Sequence, residues 1–261
     1  MLAQYGPWAV IVGGSEGLGP AFADQLAAAG LNILLVARSR ERLELAADDL
    51  RATHAGREIR TLATDLSDAA GAAQVVEAAR GLDVGLLIYN AGACSERRDF
   101  LDMDLDFNLQ LATLNVANKL RLTHAFGGPM RERGRGGIML VGSSSYAAGN
   151  PGFATYSGVK AFSTLFCEGL WCELKPYGVH VLGYVVTFTN TPAMARNYPD
   201  MAGQGSDPAA VARDGLAQLA SGPVAFSEGA EERVRSLMAM PRAEAMELIH
   251  ERSKLYKPRV A

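Results

Sequence analysis

Cysteine is scarce in this chain of 261 residues: Cys94, Cys167 and Cys172 are an odd number without C-x-x-C spacing. They suggest neither a disulfide framework nor a thiolate metal site, and they fit a reducing compartment. The four histidines, His54, His124, His180 and His250, lack the H-x-x-x-H spacing of a metal-binding helix. No basic block is present. The net charge of −3 is spread over mixed runs such as Arg38-Ser39-Arg40-Glu41-Arg42 and Glu231-Glu232-Arg233, which argues against nucleic acid as a partner. No segment reaches the ~18 uninterrupted apolar residues that span a membrane, and residues 1–7 carry no basic region ahead of the short apolar run Trp8 to Val12. Internal repeats and Pro/Ser-rich linkers are also missing. The expectation is a soluble cytoplasmic protein with one domain over residues 1–261.

What is present is a 49% hydrophobic composition, enough for a large core. Short apolar runs alternate with longer Ala/Leu/Glu/Arg-rich stretches, the pattern of repeated β-α units and a parallel sheet covered on both faces. Strands are expected at 8–12, 31–37, 58–63, 84–89, 137–142, 179–186 and 223–226, and helices at 18–29, 40–54, 68–80, 106–133, 155–175 and 208–220. Residues 187–206 read as a long connection of the kind that serves as a lid, with 187–220 as the expected substrate-binding segment. Residues 228–261 read as one or two packed amphipathic helices.

After the first strand come Gly13-Gly14-Ser15-Glu16-Gly17-Leu18-Gly19 and an Ala-rich helical stretch. A strand, a glycine turn and a helix N-terminus make an anion site, because glycine lets the backbone approach a phosphate and the free N–H groups favour negative charge. The second strand ends Val36-Ala37-Arg38, where an NAD-binding sheet usually places an acid on the ribose hydroxyl. A guanidinium there tolerates and pairs a 2′-phosphate, so NADP(H) is expected over NAD(H). Asp65-Leu66 and Asn90-Ala91-Gly92 follow the third and fourth strands, at the carboxyl edge where open α/β sheets bind ligands. Asp65 is read equally as an adenine contact or as a cap for a helix starting near Asp68. Cys94, just beyond Gly92, reads as a small loop residue.

Tyr156 and Lys160 lie four apart in a helix-forming stretch and share a face. An ammonium about 4 Å from a phenol contributes ~4 kcal/mol at an effective dielectric of about 20, enough to make the phenol about a thousandfold stronger acid. Such a phenol can exchange a proton with an alcohol or carbonyl oxygen near neutral pH. Asn115 interrupts an apolar helical stretch and needs partners if buried. Ser143 opens the run Ser143-Ser144-Ser145 at a strand exit.

The ordered set Gly13-x3-Gly17-x-Gly19, Asp65, Asn90-Ala91-Gly92, Asn115, Ser143 and Tyr156-x3-Lys160 resembles the short-chain dehydrogenase/reductase family, over roughly residues 8–192. The resemblance implies a Rossmann-like, doubly wound seven-stranded parallel sheet with helices on both faces. It further implies a dinucleotide across the strand ends and a Ser143/Tyr156/Lys160 site supported by Asn115, which holds a water for proton exchange. It places Gly13, Ser15, Gly17, Leu18, Gly19, Arg38, Asp65, Leu66, Asn90, Ala91, Gly92, Tyr156, Lys160 and Thr191 around the cofactor. The sequence departs from the family at Gly13, where threonine is common, at Tyr89, where a second asparagine is frequent, and at Val186-Thr187, which replaces Pro-Gly. The activity so implied is reduction of a ketone or aldehyde, or the reverse oxidation, on an apolar small molecule, with Phe100, Phe153, Phe188, Met194 and Tyr198 suggesting the pocket. A homodimer or homotetramer through the long helices is implied as well. A non-catalytic dinucleotide sensor is the alternative of another class, and an NAD-using epimerase or dehydratase the alternative enzyme.

Overall fold

The computed structural model describes residues 1–92 and 96–254; Cys94 lies outside them. The strands are β1 Trp8–Val12, β2 Asn32–Ala37, β3 Ile59–Ala63, β4 Val84–Tyr89, β5 Gly136–Ser143, β6 Val179–Val186 and β7 Val224–Phe226. They form one parallel sheet in the order β3-β2-β1-β4-β5-β6-β7. Every residue of β1 and β4 is buried, because both faces of a parallel sheet are covered by crossover helices.

The helices are α1 Leu2–Tyr5, α2 Leu18–Ala28, α3 Arg40–Thr53, α4 Gly71–Ala78, α5 Leu105–Ala112, α6 Asn118–Arg133, α7 Ala154–Leu174, α8 Pro192–Asn197, α9 Pro208–Gln218, α10 Ala230–Ala239 and α11 Arg242–Ser253. Alternate strand residues sort into two cores, as the period of two requires. Ile11, Leu35, Ile88, Val141 and Tyr184 pack with Phe22 of α2, Leu43 of α3 and Val211 of α9. Val10, Val36, Leu87, Ile138 and Val181 pack with Val75 of α4, Leu122 of α6 and Cys167 of α7. A third cluster seats Val234 and Leu237 of α10 and Ile249 of α11 on Ala147, Ala148 and Val185, so the C-terminal helices close over the ends of β5 and β6. Among the described residues no helix is long and apolar enough to cross a membrane.

Three expectations change. The stretch 106–133 is not one helix: a π-helical turn, Thr113–Ala117, joins α5 to α6. Residues 187–206 contain α8 and a short 3-10 turn, Pro199–Met201, because Thr191 Oγ1 accepts from the Met194 N–H at 3.1 Å and Pro192 occupies the first helical position. Asp65 does not cap a helix near Asp68. Its Oδ1 accepts from Ser67 N and Ser67 Oγ at 2.8 and 2.7 Å, an Asx turn, and α4 begins later at Gly71 without a side-chain cap.

Candidate active site

The carboxyl edges of β1, β2 and β4 open into a cleft of about 440 Å³ lined by Gly13, Ser15, Leu18, Arg38, Asp65, Leu66, Asn90, Ala91, Gly92 and Thr191, among others. These positions, far apart in sequence, come together because each sits where a parallel strand hands over to its loop. Gly13 and Gly14 donate backbone N–H groups to Val36 O at 2.8 and 3.0 Å, and Asn90 and Ala91 donate theirs to Val12 O at 2.9 and 3.0 Å. The Asn90 side chain donates to Gly13 O at 3.1 Å.

The glycines of the loop are there for space and conformation. Gly17 has φ +66°, and a Cβ on it would stand 2.5 Å from Thr191 Cγ2. A Cβ on Gly19 would run into the Gly13 carbonyl. No side chain caps the N-terminus of α2 and no acid lies in its first turn, so its orphan N–H groups face the cleft as an anion site. Arg38 is exposed at the cleft wall, and among the described residues no carboxylate is paired with it. These features fit a dinucleotide: a pyrophosphate on the α2 N-terminus and a basic group at the ribose position.

The sequence reading missed a charge cluster on the same wall. Glu16, inside the glycine loop, accepts from Arg196 of α8 at 2.6 Å and from Arg42 of α3 at 3.4 Å. Arg42 belongs to the basic run already noted and Glu16 to the glycine loop, so both were in view. Arg196 lies 180 positions from Glu16 and carries no local signal.

The proposed catalytic residues stand beside this cleft. Tyr156 and Lys160 share a face of α7, with Lys160 Nζ 5.4 Å from the centre of the Tyr156 ring. Lys160 is 4% exposed, and burial lowers its pKa from 10.5 to about 8. That value still lies above neutrality, so the ammonium form is kept near pH 7. Asn115 is fully buried in the π-helical turn, where its Nδ2 donates to Leu111 O at 3.0 Å. Its Oδ1 has no hydrogen-bond partner among the described residues, an exception among buried polar atoms. Gly92, at φ +135°, explains how close that oxygen lies: a Cβ there would collide with Asn115 Oδ1 and stand 3.1 Å from Lys160 Nζ. Asn115 and Lys160 therefore converge on one small space.

Ser143 ends β5, and its Oγ both accepts from Ser145 N and donates to Ser145 Oγ at 3.2 Å. The 3-10 turn Ser144–Tyr146 that follows packs on α7. Tyr89, at a position where the family often has asparagine, is fully buried and donates its hydroxyl to Leu114 O at 2.6 Å, tying β4 to the π-helical turn. Asn118 donates to Leu66 O and Asp68 O at 2.8 and 2.7 Å and so holds the Asp65 loop at the cleft.

A second cavity, of about 400 Å³, opens beyond Ser144 and Thr187, between Phe188 and the α10/α11 residues Arg233, Leu237, Leu248 and Arg252. Of the other expected pocket residues, Phe100 and Phe153 line a small recess beside Tyr156, and Met194 lies in a separate hollow under α8. Among the described residues no cluster suits a metal ion.

The very-long-chain 3-oxoacyl-CoA reductase of Neurospora crassa is 38% identical over 194 residues, which are 73% of this chain and 58% of that protein. The 7beta-hydroxysteroid dehydrogenase of Clostridium sardiniense is 33% identical over 225 residues, 83% of each chain. The chain spans about three-fifths of the length of the 3-oxoacyl-CoA reductases it matches. A solved 7beta-hydroxysteroid dehydrogenase superposes with a TM-score of 0.88 at 26% identity, covering 95% of this chain and 98% of that one. A short-chain dehydrogenase from Sphingobium yanoikuyae in complex with NADPH superposes with a TM-score of 0.78 at 27% identity, covering 88% and 92%. The family description "short chain dehydrogenase" matches residues 7–202, and with the glycine loop, Asn115, Ser143, Tyr156 and Lys160 gathered along one edge of a parallel sheet, the chain belongs to that family.

Proposed function

We propose that the protein is an NADP(H)-dependent oxidoreductase that interconverts a ketone and a secondary alcohol on a bulky apolar molecule, acting as a reductase. The observation that carries this is the convergence of the buried Lys160 ammonium, the Tyr156 ring and the Asn115 oxygen, unpartnered among the described residues, next to a cleft that fits a dinucleotide. The cofactor, when bound, supplies the hydride.

The chain's own residues handle the proton. As hydride reaches the carbonyl carbon, the C=O electron pair moves onto oxygen. Ser143 Oγ donates a hydrogen bond to that growing charge, and Tyr156 gives the oxygen its proton, leaving an alcohol. Lys160 stabilises the phenolate by its positive charge. Asn115 Oδ1, close to Lys160, would accept from a water through which the pair is reprotonated. Arg38 pairs with the 2′-phosphate, and the uncapped end of α2 takes the pyrophosphate.

Residues 187–220, with α10 and α11, form the substrate side of the single domain. The relatives are named for a steroid hydroxyl and for the 3-oxo group of a very long acyl chain; both are secondary alcohol or ketone centres on a large apolar body. Phe188, Leu237 and Leu248 beside Ser144 suit such a body. The exposed Leu120 and Leu165 on α6 and α7 support assembly into a homodimer or homotetramer through those helices. The thiol pattern supports a cytoplasmic setting.

The test is Tyr156→Phe. NADPH affinity, followed by nucleotide fluorescence, should stay within about twofold, because the phenol hydroxyl is one contact among many at the cleft. NADPH oxidation with a panel of ketones graded in size should vanish. Unchanged turnover overturns the mechanism, and a parent protein that binds NADPH but reduces no ketone in the panel favours the sensor.

A further inference from the structure

We propose that Asn108 and Lys119 are positioning residues that tie α7, and with it Tyr156 and Lys160, to both sides of the π-helical turn presenting Asn115. The proposal rests on the reading of Tyr156 and Lys160 as the proton-handling pair.

The elements α5, the π-helical turn and α6 run on without a break from Leu105 to Arg133. The π turn displaces one half from the helical register of the other, so contacts on one half alone do not fix where the other half meets α7. One hydrogen bond addresses each half, part-buried on the α5 side and buried on the α6 side. Thr155 Oγ1, on the residue before Tyr156, donates to Asn108 Oδ1 of α5 at 2.6 Å. Lys119 Nζ of α6 donates to Ser163 Oγ, three residues after Lys160, also at 2.6 Å. The Tyr156/Lys160 pair is thus bracketed.

Each tie has support of its own. The first turn of α7 carries Tyr156, yet its N-cap, Phe153, offers no side-chain cap, so that turn frays unless something else holds it. Asn108 supplies the hold, and its orientation is fixed because Nδ2 donates to Asp104 O at 3.2 Å. Lys119 is fully buried, and Ser163 is its hydrogen-bond partner among the described residues. Burial, and then the Lys160 charge, lower its pKa well below the usual lysine range. Ser163 passes its own hydrogen to Val159 O at 3.1 Å. A methionine would fill this place at less desolvation cost, so stability alone does not account for the lysine. Apolar helix contacts are non-directional and permit sliding; a hydrogen bond fixes distance and direction.

The test uses Lys119→Met, Thr155→Val and Thr155→Ser, with thermal midpoints and an ultraviolet phenolate titration of the NADP⁺-bound protein from which the Tyr156→Phe signal is subtracted. Lys119→Met should melt at or above the parent temperature, yet its Tyr156 should be an about tenfold weaker acid. Thr155→Val should show the same weakening, and Thr155→Ser, which restores the hydroxyl, should return to within about twofold. Parent-like ionisation in both Lys119→Met and Thr155→Val overturns the proposal, whatever their midpoints. If subtraction reveals no readily ionised phenol in the parent, the reading of Tyr156 itself fails.

Discussion

Glu16 of the glycine loop and Arg196 of α8 meet at 2.6 Å across the mouth of the cleft, joining the phosphate loop to the segment that closes over it. The bridge is solvent-facing, with the Arg196 side chain 50% exposed, and such pairs contribute about 0–1 kcal/mol. Glu16→Gln or Arg196→Met should therefore leave the melting temperature nearly unchanged and speed NADPH release by roughly two- to fivefold. Stopped-flow nucleotide fluorescence measures this; release rates equal to the parent would show that the bridge does not restrain the cleft.

Among the described residues no carboxylate is paired with Arg38, which leaves it ready for a phosphate. Loss of a charge-assisted contact weakens binding by about 1.5–3 kcal/mol. Arg38→Asp should lower NADPH affinity by roughly ten- to a hundredfold and NADH affinity by far less. Paired titrations decide it, and an equal loss for both nucleotides would remove Arg38 from phosphate recognition.

Gly92 has a φ that disfavours any side chain, and the Asn115 oxygen fills the space a Cβ needs. Gly92→Ala should cost about 1–3 kcal/mol in backbone strain and lower the melting temperature by several degrees. It should also slow turnover by displacing Asn115 from Lys160. A melt and a rate indistinguishable from the parent would contradict the packing described.

The lowered pKa of Lys160, about 8 against 10.5, makes stability depend on pH in a definite direction. Between those values the unfolded chain holds a proton that the folded chain has released. Stability therefore rises with pH across that window, by roughly 3 kcal/mol from this residue. Turnover should fall over the same range, since the charge beside Tyr156 is lost. Melting temperatures from pH 7 to 10 test the first, with Lys160→Met expected to flatten the rise; a slope unaffected by that variant would assign it to other groups.

Much of the fold was legible. Each of the seven strands lies within about one residue of its expected range, because strands buried on both faces are continuous apolar runs bounded by turn residues. The pairing of Tyr156 with Lys160 was legible too, since helical spacing alone puts them on one face. The glycine loop could be read because glycine reports a backbone requirement locally.

Other features depend on partners remote in sequence. The single helix expected at 106–133 carries a π-helical turn around Asn115; the polar interruption was in the sequence, but its burial beside Gly92 was not. Lys119 looks like an ordinary surface lysine in sequence and is fully buried in the fold. Thus the sequence by itself determined the alternation of strands and helices and the chemistry on α7, which rest on interactions within a few residues. Only the tertiary structure decided that Arg196 reaches Glu16 and that α10 and α11 roof the ends of β5 and β6. Those depend on contacts, an ion pair in one case and apolar packing in the other, between residues that chain periodicity does not relate.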